Sequence, residues 1–295
     1  MGVVTGIQRF LCLSCGRSFR SYHQPSRRRS ALWKDYYQNR STLSSLSRQY
    51  NRSLNWIRKE IRAYEIPSET IAPGRIVAVM DCVFFGRSSG YLAVRDENSG
   101  RFVYWNKIIH ENASVYRVAR EYLEGLGFHF DAVVVDGKPG TRKVFADIPV
   151  QMCLFHQRAI VNRYLTRKHH HQAGLELQAI MKTLCRTDEK SFMKALGKWE
   201  KKWSHYLREH STDPSTSRWH YAHRDLYSAY HSIKLNLPFL FTFQKYPELK
   251  IPDTINSLES LFSHLKGLVR VHRGLKADLK DKMIRFFFQN RHRKK

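Results

Sequence analysis

The sequence predicts an α/β protein: a sheet with helices packed against it, interrupted by a long helical insertion and preceded by a short helical region. Three observations carry this. From Arg75 through residue 156, short apolar runs bounded by turn residues follow one another. Residues 157–247 then have helical texture, with Trp199, Trp203 and Trp219 among many Lys, Arg and His, and no strand pattern breaks them. Ahead of both, "STLSSLSRQYNRSLNWIRKEIRAY" repeats Leu43, Leu46, Tyr50, Leu54, Ile57 and Ile61 at threes and fours.

Charge bounds the partner. The 295 residues hold 51 Lys plus Arg against 25 Asp plus Glu, a formal net charge of +26. A folded body with that charge repels itself and needs a polyanion, so nucleic acid is the leading partner. No apolar run reaches the roughly 18 residues of a spanning helix, and "MGVVTGIQRFLCLSCGRSF" lacks the form of a signal peptide. Five irregularly spaced cysteines make no disulfide framework. A reducing cytoplasm is expected, on the nucleoid if the source is bacterial, with no membrane partner.

Residues 1–25 contain "CLSCGRSF", a C-x2-C knuckle of Cys12 and Cys15 that supplies half of a tetrahedral zinc site. No second CxxC exists, and His23 is a nearby third candidate; the knuckle is either half of a zinc site or a metal-free remnant. Residues 26–64 read as helices. Asn51-Arg52 breaks the periodicity and Ser53 can cap the next helix. Two short helices with a tight turn suggest a helix-turn-helix exposing Arg52, Asn55, Arg58, Lys59 and Arg62, side chains that reach base edges and phosphates. The alternative is a helical hairpin with a solvated basic face. Residues 65–74, within "YEIPSETIAPG", form a linker.

Within 75–156, Asn98-Ser99-Gly100 marks a hairpin and "ENASVYRVAREYLEGLG" a helix ending at glycine, which gives the order strand-strand-strand-helix-strand-helix-strand. The insertion closes at 250 with "YPELKIPD", and "KHHHQ" inside it is either a metal tract or a solvated loop. In 251–295, "TINSLESLFSHLKGLVRVHRG" is helical, and Glu259, Ser263, Lys266 and Arg270 fall within roughly 40° of one another on it.

Three acids sit oddly. Asp81 lies inside the apolar strand "AVMDCVFF", where a carboxylate must neutralise or find a cation. Asp136 ends "AVVVDG", at the carboxyl edge of a buried strand, where open α/β sheets bind ligands. Glu259 follows Asn256 by three, the spacing of an N-x-x-E capping box. Singly, these read as a satisfied core acid, a turn and a cap. Jointly they are hard oxygen donors that suit two Mg²⁺ or Mn²⁺ ions acting on a phosphodiester, with Lys266 and Arg270 on its backbone.

Asp81 after an apolar strand, "VVVDGKPG", "CLFHQ", the helical stretch and "TINSLESLFSHLK" together resemble a DDE transposase of the Mutator-like group and its bacterial insertion-sequence relatives. The resemblance covers residues 75–275. It implies an RNase H-like catalytic core split by a helical insertion before the last acid. It also implies Asp81, Asp136 and Glu259 as catalytic triad and metal ligands, with Cys153 and His156 as a C-x2-H signature of structural or DNA-positioning role. The N-terminus resembles the second knuckle of a zinc ribbon followed by a helix-turn-helix. The ribbon's first CxxC is absent, as though the start had been lost. The implied activity is strand cleavage at terminal inverted repeats and transfer of the freed 3′-hydroxyl into target double-stranded DNA, by a homodimer or larger synaptic assembly. The rivals are a catalytically dead DNA-binding derivative and an RNase H-like nuclease.

Overall fold

The computed structural model describes residues 2–4, 7–20, 25–67, 70–87, 89–138, 140–165, 171–272 and 275–290. The candidate ligand His23, and His169 and His170 of the "KHHHQ" tract, lie outside them. The chain divides into two compact units, residues 1–68 with 265–286, and residues 69–264 with 287–295.

In the smaller unit, β1 (Gly2–Val4), β2 (Ile7–Leu11) and β3 (Ser18–Arg20) form an antiparallel sheet in that order. Three helices follow: α1 (Pro25–Tyr37), α2 (Leu43–Gln49) and α3 (Leu54–Ala63). The Thr42 hydroxyl accepts from Ser45 N–H at 3.1 Å and caps α2, and Ser53 caps α3 by accepting from Trp56 N–H at 3.3 Å. Asn51 turns the chain between them with φ +48°, the left-handed conformation that asparagine tolerates. The apolar positions read from the sequence do the packing, since Leu46, Ile57 and Ile61 are fully buried with Leu32, Trp33 and Tyr36 of α1. The ring of Phe286, from the C-terminal segment of this unit, meets Trp33 edge-on at 5.3 Å. Lys282 donates to the carbonyls of Ile61 at 2.9 Å, Arg62 at 2.8 Å and Tyr64, closing the open end of α3. Burial brings its amine down to about 8.

The larger unit opens with β4 (Arg75–Phe84), β5 (Gly90–Asp96) and β6 (Phe102–Ile108), an antiparallel meander. The expected hairpin turn is present, with the Asp96 carboxylate accepting from Asn98 N–H at 3.2 Å and Ser99 N–H at 2.8 Å. Next come α4 (Ala113–Gly125), capped by Asn112, then β7 (His129–Val135), the one-turn α5 (Thr141–Val144) and β8 (Val150–Met152). The strands lie in the order β6-β5-β4-β7-β8, with β7 pairing in parallel with β4 on one side and β8 on the other. This is a mixed α/β fold. One face of the sheet packs Ile76, Ala78, Met80, Val133 and Val135 against Tyr116, Ala119 and Leu123 of α4.

The insertion consists of α6 (Leu154–Leu165), α7 (Gln172–Thr183), α8 (Glu189–Arg208), β9 (His210–Thr212), β10 (Trp219–Tyr221), α9 (Arg224–Asn236) and α10 (Thr242–Lys245). Its helices share a core that includes Val161, Leu177, Phe192, Trp199, Ile233 and Phe241. The expectation of a strand-free stretch is corrected here. β9 and β10 pair as an antiparallel hairpin, turned by Asp213, whose carboxylate accepts from Ser215 N–H at 2.8 Å. Cross-strand rings hold it, with His210 and Trp219 4.8 Å apart. The chain ends in α11 (Asn256–Val271) and α12 (Ala277–Asn290).

Candidate active site

The pairing of β4 with β7 places two of the acids together. Val79 is in register with Val134, and two residues farther along each strand stand Asp81 and Asp136. Since Met80 and Val135 pack toward α4, strand alternation directs Asp81 and Asp136 to the opposite face. Asp136 occupies a built turn in which Oδ1 accepts from Lys138 N–H at 3.0 Å and Gly137 has φ +87°. A Cβ at Gly137 would run into the Met152 side chain besides straining the backbone.

Glu259 arrives by a long-range stitch at the end of β8. Cys153 N–H donates to Val135 O at 2.9 Å, Leu154 N–H to Asp253 O at 3.0 Å, and Ile255 N–H to the buried Cys153 Sγ at 3.4 Å. Ile255 O accepts from both Leu258 N–H and Glu259 N–H, so α11 starts there with Asn256 already inside the helix. The N-x-x-E capping box is therefore corrected: the backbone acceptor lies one residue before the asparagine. The Glu259 carboxylate lies instead 3.4 Å from His156 Nε2, one turn into α6. Both residues of the C-x2-H signature thus touch α11, Cys153 accepting from Ile255 at its start and His156 meeting Glu259. Burial pushes the Cys153 thiol up to about 11, away from the thiolate that metal binding needs. Cys153→Ala should cost about 1 kcal/mol for the lost acceptor, plus packing, and slow any chemistry at Glu259 more than DNA binding; thermal melts and a paired binding assay check both.

Asp81 reports the company it keeps. Its carboxyl is pushed up to about 8, first by burial and then by the negative charges of Asp136, Glu111 and Glu259, against one favourable bond from Cys82 N–H at 2.7 Å. Of the three acids singled out in the sequence, Asp136 and Glu259 are thus both near enough for their charges to reach Asp81. Glu111 is the acid that sequence reasoning passed over, read only as part of a helix. It precedes the Asn112 cap, accepts from Tyr116 O–H at 2.8 Å and pairs with Lys138 Nζ at 3.0 Å. Charge is lopsided at this mouth: among the described residues, Lys138 is the one Lys or Arg in an ion pair with any of these four carboxylates.

That imbalance, and a donor set made of hard oxygens, fit a divalent cation. The side chains themselves do not converge: among the described residues no group of three or more His, Cys, Asp or Glu is arranged to hold an ion. At the N-terminal knuckle, Cys12 N–H donates to Arg17 O and Gly16 N–H to Cys12 O, both at 2.9 Å. The Ser14 hydroxyl, 3.0 Å from Cys12 Sγ, leads the effects that lower that thiol to about 7. Cys12 and Cys15 gain no further ligand among the described residues.

Within the smaller unit, Arg52, Asn55, Arg58, Lys59 and Arg62 are all exposed at the start of α3 and along it. Arg58 Nη1 donates to Asn55 Oδ1 at 3.1 Å, the Arg52 guanidinium lies 5.8 Å from the Trp56 ring, and Arg62 pairs with Asp278 at 3.2 Å. Lys266 and Arg270 of α11 are exposed as well, in the part of that helix that belongs to the smaller unit. No helix is long and apolar enough to cross a membrane among the described residues. No protein-family model and no curated protein sequence matches the chain.

Proposed function

We propose that this chain is a DNA transposase of the DDE type, built on an RNase H-like core, that cleaves strands at the terminal inverted repeats of its own element and joins the 3′-hydroxyl to target DNA. The observation that supports this is that Asp81 and Asp136 stand two residues beyond a registered pair of neighbouring parallel strands, and that the charges of Asp136 and of Glu259, on α11, both reach the buried Asp81. Asp81, Asp136 and Glu259 would hold two Mg²⁺ or Mn²⁺ ions. Such ions, when bound, activate water or a 3′-hydroxyl and stabilise the leaving oxygen.

The chain's own residues do the rest. Cys153 and His156 fix the helix that bears Glu259. Lys266 and Arg270 would contact phosphates, and the exposed face of α3 would read bases in the major groove. A synaptic dimer or larger assembly would hold two ends together. Zinc at Cys12 and Cys15 would need ligands beyond these two.

The deciding experiment incubates the protein with linear DNA carrying the segments that flank its gene, with Mg²⁺, Mn²⁺ or EDTA. Ion-dependent nicks mapping to repeat ends support the proposal. Cutting of RNA–DNA hybrids or branched DNA without preference for those ends supports the nuclease instead, and binding without cutting in either ion supports the inactive derivative. On the binding side, Arg58→Ala should reduce the preference for repeat-end over random DNA by ~10-fold or more, the scale of one lost base contact. Competition gel shifts measure it; an unchanged preference removes α3 as the reading helix.

A further inference from the structure

The acidic mouth contains a lysine whose place in the fold is more fixed than charge balance requires. The backbone of Lys138 is held at both ends, its N–H donating to Asp136 Oδ1 at 3.0 Å and its carbonyl accepting from Thr141 N–H at 3.2 Å. Its side chain is about one-third exposed (37% relative accessibility), whereas the Glu111 side chain it meets is 15% exposed. Glu111 is steadied from behind by Tyr116 O–H, itself a fully buried residue of α4. The ammonium therefore stands on the solvent side of a braced carboxylate, two residues after one proposed metal ligand and beside an acid whose charge reaches another.

An ammonium in that position has an obvious anionic visitor. Carboxylates outnumber lysine here and repel a phosphodiester, and two divalent ions would reverse that sign. We propose that Lys138 is a phosphate-binding residue of the active site, contacting a non-bridging oxygen of the scissile DNA phosphate, and that Glu111 is the positioning residue that holds its ammonium there. The inference rests on the function proposed above. Lysine suits the task as a compact, movable cation that can exchange one anionic partner for another. Glu111 fixes the direction from which it does so.

The competing explanation is that Lys138 merely neutralises Glu111. The two separate cleanly in a double-variant cycle. The probe is a supercoiled plasmid carrying the DNA that flanks the gene, nicked in the presence of Mn²⁺ at saturating protein, with filter binding measured in parallel. Lys138→Met is expected to nick about 100-fold more slowly, the scale of one lost electrostatic contact to a transition state, with plasmid binding within about threefold because one phosphate contact among many is removed. Lys138→Arg should recover at least a tenth of the wild-type rate. The pair Glu111→Gln with Lys138→Met should stay as slow as Lys138→Met alone.

Wild-type nicking by Lys138→Met, or recovery of the rate in the double variant, overturns the assignment and leaves a structural ion pair. Should Lys138→Met fail to fold, the double variant, which leaves no carboxylate unpaired, is read with the same two outcomes. Asp136→Asn is the reference. If wild type and Asp136→Asn nick alike, the transposase proposal falls and the assignment with it. If Asp136→Asn is silent while Lys138→Met cuts normally, only the Lys138 assignment falls.

Discussion

Asp81→Asn is expected to abolish ion-dependent strand cleavage and, in the same molecule, to stabilise the metal-free protein. The first effect follows from removing one of three proposed ion ligands, and a loss of about a thousandfold or more is the scale to look for. Asp136→Asn and Glu259→Gln should be as silent, and all three should still bind DNA. The second effect follows from burial. In the folded state the Asp81 carboxyl is raised from 3.8 to about 8, so the fold prefers it protonated. Between those two pH values the folded chain binds more protons than the unfolded one, and stability without metal falls as pH rises. The asparagine has no charge to desolvate, so this slope should flatten in the variant. At pH 8 the gain is on the order of a few kcal/mol. Thermal melts in EDTA at pH 5 and pH 8 measure it, and Mn²⁺ should narrow the difference by stabilising wild type alone. A wild-type melting temperature that does not fall across this range would show that Asp81 is not the strained acid its surroundings make it.

Phe288→Ala should unfold the larger unit more readily than any other single truncation at its sheet. Phe288 is 1% exposed and packs edge-on to Phe102 at 4.9 Å, nearly parallel to Trp105 at 5.8 Å, and near Tyr91 and Phe262 at 6.2 and 6.5 Å. Emptying that site costs about 3–5 kcal/mol, because rings on three elements cannot collapse into one hole. Phe262 lies one turn beyond Glu259 on α11. The variant should therefore also lose cleavage at temperatures where it remains folded, as the helix bearing Glu259 loses part of its support. Chemical denaturation followed by tryptophan fluorescence gives the stability change; a loss under about 1 kcal/mol would mean the cluster repacks.

Much of this is legible in the sequence alone. Asp81 stood out because a carboxylate in an apolar strand needs a reason, and Asn51 followed by Ser53 spelled out the turn and cap between α2 and α3. Glu111 was not legible. It sits before a helix cap, and only the pairing of strands and the turn after Asp136 bring Lys138 to it. The β9–β10 hairpin was missed because each strand has three residues and nearly all of them face solvent, so no apolar alternation marks them. The capping box at Asn256 is off by one residue, since Ile255, held by Cys153 at the end of β8, sets where the helix begins. Local chemistry writes local structure; contacts a hundred residues apart leave no periodic trace.

Lys282 and Phe286 finish the smaller unit, one closing α3 and the other covering Trp33. During synthesis, α1–α3 must therefore wait for more than two hundred further residues before they acquire these partners. Products of early termination would carry α1–α3 with Trp33 uncovered and the carbonyls of Ile61 and Arg62 unmet by that lysine. If α3 is the DNA-reading helix proposed above, such fragments would compete poorly for DNA, and inhibition by truncated copies would need α12 retained.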